Sequence, residues 1–447
     1  MPSHHASIPI PFLSAPDPLV SGEGAIDPLG FAPVGDRLAD WILPGMAARM
    51  NRPRFLTAIA VCASVCEGLE EEIAADGTSS AQIVFEWLLV EGFARSADRD
   101  EVRQTPGIDK ATEAREAGIS MSARAYLKAA SVFGFHGVYK RLARHLNIID
   151  DDFRLDENGW MLLRLWESEQ GLTGFSDHDR ARNNSGISRW ALRSAVKDAL
   201  EAGQVTRPPG WRSGWDFFAN HLAPAKVGRQ EGRFIWQLLL SENGDTRGEM
   251  FGLVARRTIQ EAIADSTSEA APVARLRALA SSELARRLTT IAAYESFCSG
   301  VEDAFDWLRY LSTHAGARAL PRHEFAGCPE VQTIAKELPR RLRAAERETQ
   351  EAPGQIAVKF SEIAAFFGNV RTEDDVYDAV LHRHAHVQKA KPPEGKRDWF
   401  EHAADGGTFV RIPYRWFDRP CSEEQWRRPY RLWAVRSFCG DLGEVVA

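Results

Sequence analysis

The chain has 447 residues, 44% hydrophobic and 26% charged, which suits a globular protein of several domains and excludes a disordered or low-complexity one. A formal net charge of −7 and a pI near 6.0 argue against wholesale coating of nucleic acid or of an anionic membrane, so any polyanion site must be a local patch. Six cysteines in so long a chain make no disulfide framework and point to a reduced, cytoplasmic setting.

Residues 1–26 are rich in Pro, Ser, His and Gly and read as a flexible N-terminal lead; with no Lys or Arg before Arg37 they form no secretory signal. Residues 27–122 read as an N-terminal helical domain with a polar connection. LADWILPGMAARM is helical until Pro44 and Gly45 break it. FLTAIAVCASVC is apolar but far too short to span a membrane, so no membrane partner is expected. TSSAQIVFEWLLVEGFA begins on a capping stretch, Thr78 to Ser80, and ends near Gly92. Ala97 to Ser120 is polar, punctuated by Thr105-Pro106-Gly107, and reads as a surface connection.

Residues 123–259 form the most informative region, read here as a winged-helix-like central domain. Between Gly137 and Leu146, Val138, Leu142 and Leu146 repeat on one helical face, with Lys140, Arg141 and Arg144 beside them. Asp150 to Asp152 mark a turn, Phe153 to Leu155 a short wing strand, and MLLRLWE the next helix. In Ser188 to Ala202, Leu192, Val196, Ala199 and Leu200 make the apolar face, while Arg189, Arg193 and Lys197 repeat every four residues as a basic stripe. A buried stripe beside a cationic one suits a helix that meets phosphates, although a solvated helix face has the same pattern. Ala123–Val205 as a whole is nearly neutral, so only the two stripes would bind.

Residues 260–350 read as a helical bundle, kinked at Pro339. Residues 351–447 form a small mixed region in which cations interleave with aromatics: Arg411, Arg415, Arg427 and Arg428 lie among Trp399, Phe409, Tyr414, Trp416, Phe417, Trp426 and Tyr430. TFVRIPYRWF reads as a strand. Such a region either binds a nucleic-acid backbone or forms a cap whose aromatics bury against helices.

No phosphate loop, dinucleotide fingerprint, HExxH, CxxC or GxSxG is present, so no cofactor is expected and no catalytic residue is assigned. Three weaker constellations are Asp378 with His382, His384 and His386, where a helix would put His382 and His386 on one face with Asp378 and a strand all three histidines, which would suit a metal; Glu394-x-Lys396 downstream of Asp374, Asp375 and Asp378, which mimics a metal-dependent nuclease; and Asp177-His178-Asp179, a polar loop. None displaces the expectation that no metal is held.

YLKAASVFGFHGVYKRLARHLN with LDENGWMLLRLWE, and LADWILPGMAARM nearer the start, resembles a group of poorly characterised bacterial proteins encoded alongside anti-phage defence genes. The resemblance reaches to about residue 260 and carries over no active-site residue. It implies a component of a multi-subunit defence system that handles DNA. The sequence therefore predicts a mainly α, multi-domain protein serving as a non-catalytic DNA-binding or recognition subunit, with other defence subunits as partners. The alternatives are a structural adaptor that docks an ATPase or nuclease without DNA affinity of its own, and a metal-dependent nuclease.

Overall fold

The computed structural model describes residues 27–446 apart from 97, 173, 178–183, 210–213, 242–244, 393–394, 405 and 421–424. The fold is mainly α. Its helices are α1 (Ala32–Ile42), α2 (Phe55–Cys66), α3 (Ala81–Ala94), α4 (Ile108–Glu116), α5 (Ala130–Phe133), α6 (Phe135–His145), α7 (Glu157–Glu169), α8 (Asn184–Ala202), α9 (Phe217–Leu222) and α10 (Arg229–Leu240). There follow α11 (Arg247–Val254), α12 (Arg257–Ala264), α13 (Ala270–Leu279), α14 (Ser282–His314), α15 (Arg322–Ala326), α16 (Pro329–Gln350), α17 (Gly354–Ala364) and α18 (Glu373–Ala390). Strands β1 (Phe400–His402) and β2 (Thr408–Val410) form an antiparallel pair with Phe400 opposite Val410, and α19 (Leu432–Val446) closes the chain.

Contacts divide the chain into two compact units. Of the described residues, one unit takes those within Asp36–Thr289 and from Pro429 on; the other joins those up to Gly35 to those within Thr290–Arg428. The first is built around α2, every residue of which is buried. A helix apolar on all sides must be surrounded, and α3, α6, α7 and α8 pack against it. Its N-terminal end is fixed by a buried ion pair: Arg54 Nε meets Glu231 Oε1 at 3.2 Å, and the same oxygen accepts from Thr57 Oγ1 at 2.6 Å. Arg54 also donates to the carbonyls of Ala223 and His221, both at 2.9 Å, so this buried guanidinium is well supplied with acceptors.

In the second unit α14 packs its apolar residues, Tyr294, Phe297, Val301 and Phe305 among them, in the interior. Ring contacts join Phe297 to Phe360 and Phe367, and Phe305 to Trp399 and Phe400. The small sheet is tied to α14 through Ser312, whose Oγ donates to Thr408 O (3.1 Å) and accepts from Val410 N (2.7 Å).

Several elements differ from the sequence reading. The polar connection contains α4, started by Gly107 at φ 80° after Pro106. The strand read over 408–417 stops at Val410, and Ile412–Tyr414 turns as a 3-10 helix around Pro413, which has no N–H to give a ladder. The wing strand is a single antiparallel bridge, Ile149 to Leu155, closed by Asp150 Oδ1 accepting from Asp152 N (2.9 Å) and Arg154 N (2.8 Å).

Candidate functional site

The apolar faces of the two basic helices are buried as their spacing requires: Val138, Leu142 and Leu146, then Leu192, Val196, Ala199 and Leu200. The cations beside them are mostly occupied. Arg189 turns onto the end of α2, where its Nε (3.1 Å) and Nη2 (2.8 Å) donate to Ser64 O and Nη2 also meets Glu67 Oε2 at 2.6 Å. Arg193 donates to Val65 O at 3.1 Å and to Glu67 O. The last carbonyls of a helix have no intrahelical donor, so two guanidinium groups from α8 supply the C-terminal cap that α2 lacks. Lys197, one turn further, is exposed.

The α6 cations follow the same pattern. Arg141 pairs with Asp40 and Arg144 with Asp151, both in close contact. Lys140 stands over the Phe153 ring, 5.6 Å from its centre, and burial, reinforced by Arg144, lowers its pKa.

In the other unit, Arg428 is buried and forks between Glu295 (2.5 and 3.0 Å) and Glu302 (2.8 and 3.0 Å). Arg427 meets Asp306 at 2.6 Å and Asp303 at 2.9 Å. Arg411 is buried and donates to Asp398 O at 3.2 Å, with Tyr414 beneath it. Arg415 is exposed. Of the ten cations picked out in the sequence, only Lys197 and Arg415 reach solvent with no partner among the described residues.

The weaker constellations divide similarly. Both ring nitrogens of His384 are used: Nδ1 lies 3.0 Å from Pro28 O, and Nε2 accepts from Trp399 N at 3.0 Å. The ring therefore carries its proton on Nδ1, and burial lowers its pKa to about 4. His382 and His386 are exposed. Asp375 caps α18 by accepting from Arg371 N and Thr372 N (both 2.8 Å), while Asp374 and Asp378 face Arg322. No group of three metal-ligating side chains occurs among the described residues. Glu394, His178 and Asp179 lie outside the described residues.

The aromatics interleaved with the C-terminal arginines, which the sequence names together, are separated by the structure into buried and exposed ones. Among the C-terminal aromatics, Trp399, Phe400, Tyr414 and Tyr430 bury. Ile412 (71% exposed), Phe417 (69%) and Trp416 (38%) do not. Their backbone is held rigidly on α14: Arg309 Nε donates to Tyr414 O (3.0 Å), Trp416 N donates to Thr313 Oγ1 (3.0 Å), and Trp399 stacks on Tyr414 with centroids 4.4 Å apart. Arg309 also lies under the Trp416 ring at 4.7 Å, and Phe417 meets His314 edge-on at 6.5 Å. The result is a fixed platform presenting two large apolar side chains and an indole, with the exposed Arg415 between them. Periodicity cannot reveal such a patch, because these residues lie in a 3-10 turn and a loop.

No helix among the described residues is long and apolar enough to cross a membrane. Comparison with protein families, curated sequences and solved structures gives no significant match.

Proposed function

We propose that this chain is a non-enzymatic adaptor that docks a partner protein through the Ile412–Trp416–Phe417 surface, with no substantial nucleic-acid affinity of its own. The exposure of these three side chains on a braced backbone carries the proposal. Large apolar side chains exposed this close along the chain are costly unless a partner covers them, and aromatic anchors on a supported backbone are the usual centre of an interface. Phosphate binding needs several cations free to displace counterions, whereas eight of the ten named cations are engaged within the protein. The winged-helix-like reading of 123–259 then describes a scaffold, with Arg141, Arg144, Arg189 and Arg193 as its internal ties. The resemblance to defence-associated proteins would make the partner another subunit of such a system.

The test compares the full wild-type chain with an Ile412→Asp/Phe417→Asp variant, each co-expressed with its genomic neighbours. Both should fold alike, since both side chains are exposed, and only the wild type should retain a stoichiometric partner. Equal retention by the variant overturns the proposal. So does duplex-DNA binding by the wild type that falls with salt and is lost in Lys197→Glu/Arg415→Glu.

A further inference from the structure

A cavity of about 640 Å³ opens in the unit built on α2, between the end of that helix, the start of α3, one face of α6 and the turn at 151–154. Two of its lining side chains, Gln82 (6% exposed) and His136 (8%), are more than nine-tenths buried. His136 Nδ1 is enclosed without a hydrogen-bond partner, whereas the Gln82 amide, which bonds to none of the described residues, is not enclosed and is open to the cavity. Buried side chains ordinarily satisfy their polar atoms, so the Gln82 amide and the other ring nitrogen of His136, neither bonded among the described residues, are the groups that a ligand in the cavity could meet. Burial, with repulsion from Lys140, lowers the His136 pKa to about 4, so at neutral pH its ring is uncharged and one nitrogen can accept. Phe153, whose ring packs 4.8 Å from that of His136, holds φ at 65°, a left-handed conformation that a bulky residue rarely adopts.

The charge around the cavity has one sign in excess. Glu70, Glu71, Glu72, Asp151 and Asp152 line it against Lys140 and Arg154, and Arg144, outside the lining, pairs with Asp151. Arg154 already faces Glu70 (3.7 Å) and Asp152 (3.8 Å). The interior thus offers an amide, both donor and acceptor, and a neutral imidazole, and the rim offers carboxylates. Such a lining is rich in acceptors and wants a ligand that donates and is positively charged. Its volume lies in the range of ordinary small-molecule sites. We propose that this cavity binds a small aliphatic polyamine, one ammonium reaching Gln82 and His136 and the others held by the rim carboxylates around Glu70 and Asp152.

The site lies in a different unit from the Ile412–Phe417 surface, so the two proposals stand or fall separately. Calorimetric titration of the full chain with spermidine at neutral pH should show one saturable site per chain. Glu70→Gln/Asp152→Asn, which changes charge at solvent-accessible positions, should weaken it by about tenfold or more. The His136 imidazole resonances of the wild-type protein should shift during the same titration, a readout independent of any variant. Ile412→Asp/Phe417→Asp should bind spermidine as the wild type does. Absence of saturable heat, unchanged affinity in the carboxamide variant, unmoved His136 resonances, equal displacement by magnesium at matched ionic strength, or binding of inorganic phosphate in place of spermidine would each overturn the assignment.

Discussion

Arg189 and Lys197 lie about two turns apart on the same helix and look equivalent in sequence. Their surroundings separate them. The Arg189 side chain is 13% exposed and makes charge-assisted bonds to Ser64 O and Glu67, whereas Lys197 stands in solvent. Arg189→Ala should therefore cost about 1–3 kcal/mol by chemical denaturation, the scale of hydrogen bonds made by a charged group. Lys197→Ala should stay within about 0.5 kcal/mol. Equal effects would remove the capping role. A charge reversal of the whole stripe would destabilise the fold, so any loss of binding it caused would say little about phosphates. The amphipathic face of this helix was legible because an apolar repeat is local. The acceptors for Arg189 were not, since Ser64 and Glu67 lie 125 and 122 residues away in sequence.

At the scale of elements, the clearest dependence is of α6 on α3. Gly134, the residue before α6, has no side chain to cap it, and Glu86 of α3 serves instead. The Glu86 carboxylate accepts from Phe135 N and His136 N (both 3.1 Å) and from Tyr126 Oη (2.5 Å). A Cβ at residue 134 would stand 1.9 Å from Glu86 Oε1, so the cap requires glycine there. Burial raises the Glu86 pKa from 4.5 to about 7, with the hydrogen bonds from Tyr126, His136 and Phe135 opposing it. Because the folded pKa is the higher, the folded chain keeps a proton that the unfolded chain has released. This contribution is complete below about pH 4.5 and is lost as pH rises through 7, a change on the order of 3 kcal/mol. His136 acts oppositely. Its lowered folded pKa gives a contribution that is complete above about 6.5 and lost as pH falls towards 4. As pH rises from 5 to about 8 the wild type should lose melting temperature relative to Glu86→Gln, the His136 effect cancelling in the difference. Parallel curves would contradict the assignment. Helix positions such as α6 and α7 were readable from apolar spacing, although α7 starts at Glu157 on the cap of Asp156, within the stretch 156–159 that reads as a turn in the sequence. The buried Glu86 was not, because a carboxylate in an apolar helix has no sequence sign of what it caps.

For the whole molecule, a chain with a net charge of −7 pairs most of its conspicuous arginines internally and leaves an aromatic surface uncovered. The mainly helical class was legible from composition and periodicity. The grouping of α19 with α10 and α11 was not, because it joins chain segments nearly two hundred residues apart, as the contact of Cys439 Sγ with Phe251 O illustrates. The most direct test of the docking account replaces Phe417 with a photo-crosslinking phenylalanine analogue in the full chain in its native cells, with Val358, itself 59% exposed, as the control position. The account predicts one dominant protein adduct at position 417 and none at 358. Crosslinking to nucleic acid at 417, or the same adducts at both positions, would contradict it.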